Sequence, residues 1–195
     1  MKIENGWLDE AEKLPSPNFG GRWYGMYVPR VGMIHYNAGT WESTRDWLTS
    51  DASKASYHFL IRRHSGDITQ FVPTEEAAWA VLDNVSWDGR NKWNGRMVHV
   101  CLENFGQLDA DGKTRGIEVP PEWRYVDTDG AKHHRYMAGE LDKCFILCRY
   151  LTRELGIEKW VRHSDVDPDR KVDPGPNFPW SSFTNLMEKA RSEVY

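Results

Sequence analysis

The chain has 195 residues, a formal net charge of −4 and 28% charged residues, with a mean hydropathy of −0.70. That length allows one domain with a sizeable core. The acidic balance argues against nucleic acid as a partner, and nothing in the chain resembles a membrane span, so no membrane insertion is expected.

In chain order, the opening residues 1–29 read as a lead-in without an apolar leader, so the protein is expected to accumulate in the cytoplasm. Residues 31–36 read as a short buried strand with His35 near its C-terminal end, opening into Asn37, Ala38 and Gly39. Strand ends that open into a Gly-containing loop are where α/β proteins place chemistry. A helix is expected over residues 42–50. Strands follow at 56–63, 68–72 and 97–103, the first two joined by a hairpin whose turn pair is Gly66 and Asp67. Residues 105–135 are rich in Gly, Asp and Pro and show little period, as a long insertion or lid would. The spacing of Leu141, Phe145, Cys148 and Leu151 or Leu155 predicts a helix over 136–155, stopped by Gly156. A last helix, carrying Phe183, Leu186, Met187 and Ala190, is expected to start at a capping Ser181 or Ser182. The sum is an α/β fold with a central mixed β-sheet flanked by helices, one domain over residues 1–195, expected to act as a monomer.

Several features invite functional readings that their spacing does not support. D-A-D-G at 109–112 and D-T-D-G at 127–130 look like calcium loops, but the twelfth positions are Pro120 and Ala138 where a Glu is required. Both read as turns. His133 and His134 are adjacent and are expected at the solvent or the rim. Cys101, Cys144 and Cys148 form no framework and read as reduced, buried small hydrophobes. Ten Trp is high. Most are expected in the core or at its rim, with some left to line a groove for a sugar or peptide.

The most informative segment is H-S-D-V-D-P-D-R-K-V-D-P-G-P at 163–176, an irregular, proline-rich stretch not expected to be helical. His163 and Asp173 are ordinary zinc ligands. Lys171 between them is no ligand, but a cation is what a hydrolytic site needs beside a developing oxyanion. A catalytic zinc usually takes three protein groups and leaves one position open. His35 completes a His/His/Asp set.

This segment, the strand end M-I-H-Y-N and the run S-Y-H-F-L-I-R-R-H-S-G-D-I-T-Q-F-V at 56–72 resemble the zinc N-acetylmuramoyl-L-alanine amidases. That family includes muropeptide amidases of the AmpD type, phage T7 lysozyme and the peptidoglycan recognition proteins. The opening W-L-D-E-A-E-K-L-P-S-P-N-F-G-G-R at 7–22 is also similar to AmpD-like and phage members. The resemblance implies one Zn2+ per chain, held by His35, His163 and Asp173. It implies Glu103 as the carboxylate that orients and deprotonates the attacking water, and Lys171 and Tyr57 as oxyanion stabilisers. Asn37, Arg62 and Arg63 become substrate-binding candidates, the arginines for a stem-peptide carboxylate. Pairing an AmpD-type Asp ligand with Tyr57 is a mixed pattern and leaves open which of Tyr57 and Glu103 matters more. His58 is expected on the face opposite Tyr57. Ala80 follows Trp79 where many AmpD relatives carry a His.

The implied reaction is hydrolysis of the bond between the lactyl group of N-acetylmuramic acid and L-alanine, with peptidoglycan or a muropeptide as substrate. Read first as a phage or prophage endolysin, the protein would need another protein to permeabilise the membrane before it met the wall. The alternatives are an AmpD-like enzyme recycling anhydro-muropeptides in the cytoplasm and a non-catalytic peptidoglycan-binding module.

Overall fold

The computed structural model describes residues 1–22 and 29–193. Its centre is a six-stranded mixed sheet of β1 (Glu12–Lys13), β2 (Val31–Tyr36), β3 (Phe59–Ile61), β4 (Ile68–Gln70), β5 (Met97–Leu102) and β6 (Lys159–Arg162), ordered β6-β2-β5-β3-β4-β1. The pairs β6–β2, β2–β5, β3–β5 and β1–β4 are parallel, and β3–β4 is antiparallel. Among the described residues, the α-helices α1 (Trp41–Leu48), α2 (Ala138–Leu155), α3 (His163–Val166) and α4 (Trp180–Ser192) accompany the sheet. The expected α/β class and flanked mixed sheet are what the structure holds.

β5 is buried along its whole length, as a central parallel strand covered on both faces should be. Alternation splits its side chains between the two faces. Val98, Val100 and Leu102 join Ile34, Phe59 and Ile61 against Leu147, Cys148 and Leu151 of α2 and Phe183 and Met187 of α4. Each such large apolar side chain contributes about 1.5–3 kcal/mol by leaving water. Cys101 faces the other way, with Leu60, Trp41, Leu48 and Phe71. The helices α2 and α4 therefore fill one face and leave the other for α1 and the loops that carry the site.

The helix over 136–155 forms two residues later than expected, from Ala138, and stops as expected at Gly156, whose φ of 63° is the left-handed cap. The three cysteines are free and buried. The last helix starts at Trp180, with Pro179 and not a serine at the cap position. The strand expected over 56–63 is only Phe59–Ile61, so Ser56, Tyr57 and His58 lie before it. Its hairpin is real, but six residues separate Ile61 from Ile68, so Gly66 and Asp67 are not a two-residue turn. Gly66 does take a positive φ, of 71°. The lead-in is woven into the fold, through β1 and through Phe19–Gly21 paired with Glu76–Ala78.

The insertion over 105–135 is structured. Lys113–Thr114 pairs with Ile117–Glu118, and Arg124–Val126 pairs with Lys132–His134. Both Asp-rich stretches are turns. Asp109 accepts from the amides of Asp111 and Lys113, and Asp127 from those of Asp129 and Ala131. His133 and His134 are buried, contrary to expectation. His134 holds the start of the insertion by accepting from Phe105 N at 3.1 Å, and its carbonyl accepts from Asn104 and Asn177.

Candidate active site

The site begins with register. β2 and β6 run parallel, with Arg162 level with Ile34. The next residues, His163 just past β6 and His35 near the end of β2, therefore lie side by side at the C-terminal edge of the sheet. His163 opens α3, a single helical turn in a stretch expected to be irregular throughout. The chain then turns back. Lys171 N donates to Asp167 O, and Ser164 N donates to Asp173 O, which returns Asp173 to the strand end. Tyr136 fixes the far side of this loop through a 2.8 Å hydrogen bond to Pro174 O.

Three side-chain atoms converge there. His35 Nδ1 lies 3.0 Å from His163 Nδ1 and 3.0 Å from Asp173 Oδ2, and His163 Nδ1 lies 3.1 Å from Asp173 Oδ2. All three residues are buried. Burial, the neighbouring His163 and Lys171 hold His35 near a pKa of about 4 against the pull of Asp173, so it is neutral at physiological pH. Burial alone would raise the Asp173 carboxyl. The hydrogen bonds to His163 and His35 outweigh it and hold the group below the usual carboxylate range. Two imidazole nitrogens and a carboxylate are a zinc donor set, and a triangle of this size suits an ion with bonds of about 2.0–2.2 Å.

Beside this cluster lies a cavity of about 840 Å³ whose wall includes Asn37, Tyr57, Lys171, Trp47 and Trp79. Tyr57 packs its ring against His35 with centroids 4.9 Å apart. Burial, with Cys101 and Asp173 adding to it, pushes its hydroxyl well above the usual phenol range, so it stays a proton donor. Asn37 binds back into the fold, donating to Thr44 Oγ1 at 2.7 Å and accepting from Asn104 N at 2.9 Å.

Three sequence expectations change. Glu103 does not stand free at the strand end. Its Oε1 accepts from Trp41 N at 2.8 Å and its Oε2 from Arg63 N at 3.0 Å, so it braces the positive N-terminal end of α1 against the hairpin. Neither expected arginine lines the cavity. Arg62 stacks its guanidinium 3.6 Å from the Trp41 ring centroid, and Arg63 is buried against Arg135 O and 3.8 Å from Glu140. The cations that do line the cavity, besides Lys171, are Lys54, Arg115 and Arg170. Third, Tyr57 and His58 precede β3, so strand alternation does not separate them. His58 turns inward and stacks on His99, centroids 5.6 Å apart.

His99 is the site-facing residue that the sequence reading missed. Its Nδ1 lies 3.1 Å from His35 Nε2. The available signal was a lone histidine inside an otherwise apolar strand, M-V-H-V-C-L.

The N-acetylmuramoyl-L-alanine amidase family model matches residues 25–176. The chain belongs to the N-acetylmuramoyl-L-alanine amidase family. Among curated proteins, this amidase is 27% identical over 212 residues to 1,6-anhydro-N-acetylmuramyl-L-alanine amidase AmpD of Citrobacter freundii, covering 96% of this chain and 95% of that one. Among solved structures, it matches a selenomethionine AmpD derivative with a TM-score of 0.70 and 25% identity, over 95% of this chain and 99% of that chain. It also matches Escherichia coli AmiD, solved with the substrate anhydro-N-acetylmuramic acid-L-Ala-D-gamma-Glu-L-Lys, with a TM-score of 0.61 and 26% identity over 85% of this chain and 60% of that one. An endolysin amidase of Clostridium intestinale shares the fold, with a TM-score of 0.56 and 16% identity over 94% of this chain and 98% of that one.

Proposed function

We propose that this amidase binds one zinc ion at His35, His163 and Asp173 and hydrolyses the muramyl–L-alanine amide of soluble 1,6-anhydro-muropeptides. The observation that carries the reading is the convergence of three buried ligand atoms within 3.0–3.1 Å of one another, beside a cavity that holds Lys171 and Tyr57. A zinc ion bound there supplies Lewis acidity to the scissile carbonyl and to the attacking water.

The protein's own groups do the rest. Lys171 offers a positive charge, and Tyr57 a hydroxyl kept protonated by burial, to the oxygen on which charge builds in the transition state. The cavity wall has four cations, Lys54, Arg115, Arg170 and Lys171, and one acid, Asp83; Lys54 and Arg170 pair with Asp51 and Asp167, and Arg115 and Lys171 are the cations offered to stem-peptide carboxylates. Trp47 and Trp79 offer apolar faces for the sugar or the peptide stem. We assign Glu103 a positioning part, because both its oxygens already serve backbone N–H groups.

The endolysin reading yields to the muropeptide reading. The likeness to AmpD is one of sequence as well as fold over nearly the full chain, whereas the endolysin likeness, at 16% identity, is one of fold. The AmpD-type reading goes with action in the cytoplasm and with a monomer. Among the described residues no helix is long and apolar enough to cross a membrane. The test is a paired assay of purified 1,6-anhydro-muropeptide and intact sacculi. Release of free stem peptide mainly from the soluble substrate is expected; rapid solubilisation of sacculi with little cleavage of the soluble substrate would restore the endolysin reading.

A further inference from the structure

We propose that His99 is a positioning residue for zinc binding, accepting a hydrogen bond from Nε2–H of His35 and so holding that imidazole with its Nδ1 lone pair turned to the ion. The inference rests on the zinc reading above and concerns how the protein prepares one of its ligands.

The geometry fixes the assignment. His35 directs Nδ1 at His163 and Asp173, so a ligating His35 must carry its proton on Nε2. That nitrogen is fully enclosed, and the partner in reach is Nδ1 of His99 at 3.1 Å. The order of the sheet brings the two together. His35 sits opposite Cys101 in the β2–β5 register, and His99, two residues earlier on β5, shares the face of Cys101 and lies diagonal to His35. His99 is held in turn. Its backbone N–H donates to His58 Nδ1 at 3.0 Å, and the two rings stack. Because His58 Nδ1 accepts from that backbone N–H, the proton of a neutral His58 sits on Nε2, which lies 3.0 Å from Glu76 O and 3.1 Å from a guanidinium nitrogen of Arg22. Three fully buried imidazoles therefore run from the ligand cluster to a backbone carbonyl.

A histidine inside an otherwise apolar, fully buried strand costs free energy unless its polar atoms have partners. With Nδ1 accepting, the proton of His99 sits on Nε2, which is buried and has no hydrogen-bond partner among the described residues. Ligating histidines commonly place their second nitrogen on a carboxylate, a carbonyl or water. A neutral imidazole in that position orients the ring without adding a second negative charge behind the ligand, so Asp173 remains the one anion of the cluster.

The experiment measures zinc affinity by chelator competition in the full chain, for wild type, His99→Leu and His99→Asn. Leu fills the space without an acceptor; Asn keeps an acceptor on a short side chain. His99→Leu is expected to bind zinc about 10- to 100-fold more weakly, with Asn recovering most of the loss. In zinc-loaded wild type, 15N NMR should show the His35 proton on Nε2, exchanging slowly with solvent. Wild-type zinc affinity in a folded His99→Leu, or an Asn variant as weak as Leu, overturns the proposal. If neither variant folds, the wild-type spectrum decides it, and an absent or rapidly exchanging Nε2 proton on His35 is the contrary result. Wild type that binds no zinc would instead sink the zinc reading itself, and this inference with it.

Discussion

Lys171 and Asp173 are two residues apart on one loop, yet the chemistry gives them opposite tasks, and substitution separates them. Asp173→Ala removes a charged ligand and should lose zinc binding strongly. Lys171→Ala should keep its zinc, because a protonated ammonium cannot coordinate, but should lower kcat by roughly 100-fold or more with little change in KM. Metal analysis and steady-state kinetics check both; loss of zinc from the Lys171→Ala protein would mean the loop is misassigned. Tyr57 and Glu103 form a second contrast. Tyr57 touches His35 and lines the cavity, whereas Glu103 is occupied by Trp41 N and Arg63 N. Glu103→Gln should therefore hold turnover within about 10-fold while losing roughly 1 kcal/mol of stability, the scale of a weakened cap. Tyr57→Phe should be the more damaging change for kcat, with zinc content unchanged. An inactive but fully stable Glu103→Gln would return the general base to Glu103.

At the scale of elements, the His35/His163/Asp173 cluster was legible because the 163–176 segment and the M-I-H-Y-N strand end together carry the family resemblance. What brings the set together was not. The strand Lys159–Arg162, which delivers His163, has only four residues, too few to show a period, and its level with β2 exists only in the folded sheet. Arg62 and Arg63 were candidates through the resemblance alone, and their contacts with Trp41, Arg135 O and Glu140 depend on the folded neighbours of the hairpin. His99 was passed over because a single histidine in an apolar run declares itself only when its neighbour across the sheet is known. The insertion read as an irregular lid because its pairing is between two- and three-residue strands. Its anchor is Gly106, with a φ of 75° and so little room that an added Cβ would lie 2.3 Å from the Tyr36 ring. Gly106→Ala should cost about 1–3 kcal/mol by overpacking and open residues 107–133 to limited proteolysis. Unchanged protease resistance would show that the insertion is anchored elsewhere.

For the molecule as a whole, buried titrating groups set the pH dependence of stability. Burial keeps His58 and His99 well below the usual imidazole range, and burial with Arg63 and His64 holds His134 near about 3. Above pH about 6.5 these groups are neutral in both folded and unfolded chains. Below it the unfolded chain takes up protons that the folded chain refuses, so each group removes about 1.4 kcal/mol per pH unit. Glu140 works the other way. Burial raises it to about 8, so stability falls as pH rises from the unfolded value near 4.5 towards 8. Below pH 6.5 the three histidines outweigh it. The metal-free protein should thus be most stable near pH 6.5, and Glu140→Gln should flatten the alkaline limb of a urea-midpoint profile. A profile flat from pH 5 to 8 would contradict this account of the core.

The central claim joins the cluster to one reaction, and mass spectrometry of a single digest tests it most directly. Purified protein incubated with 1,6-anhydro-N-acetylmuramyl-peptide should release a free peptide beginning at L-alanine. A zinc chelator should stop the release, and added zinc should restore it. An uncut muropeptide in the presence of zinc, or cleavage that persists in a chelated, metal-free protein, would contradict it.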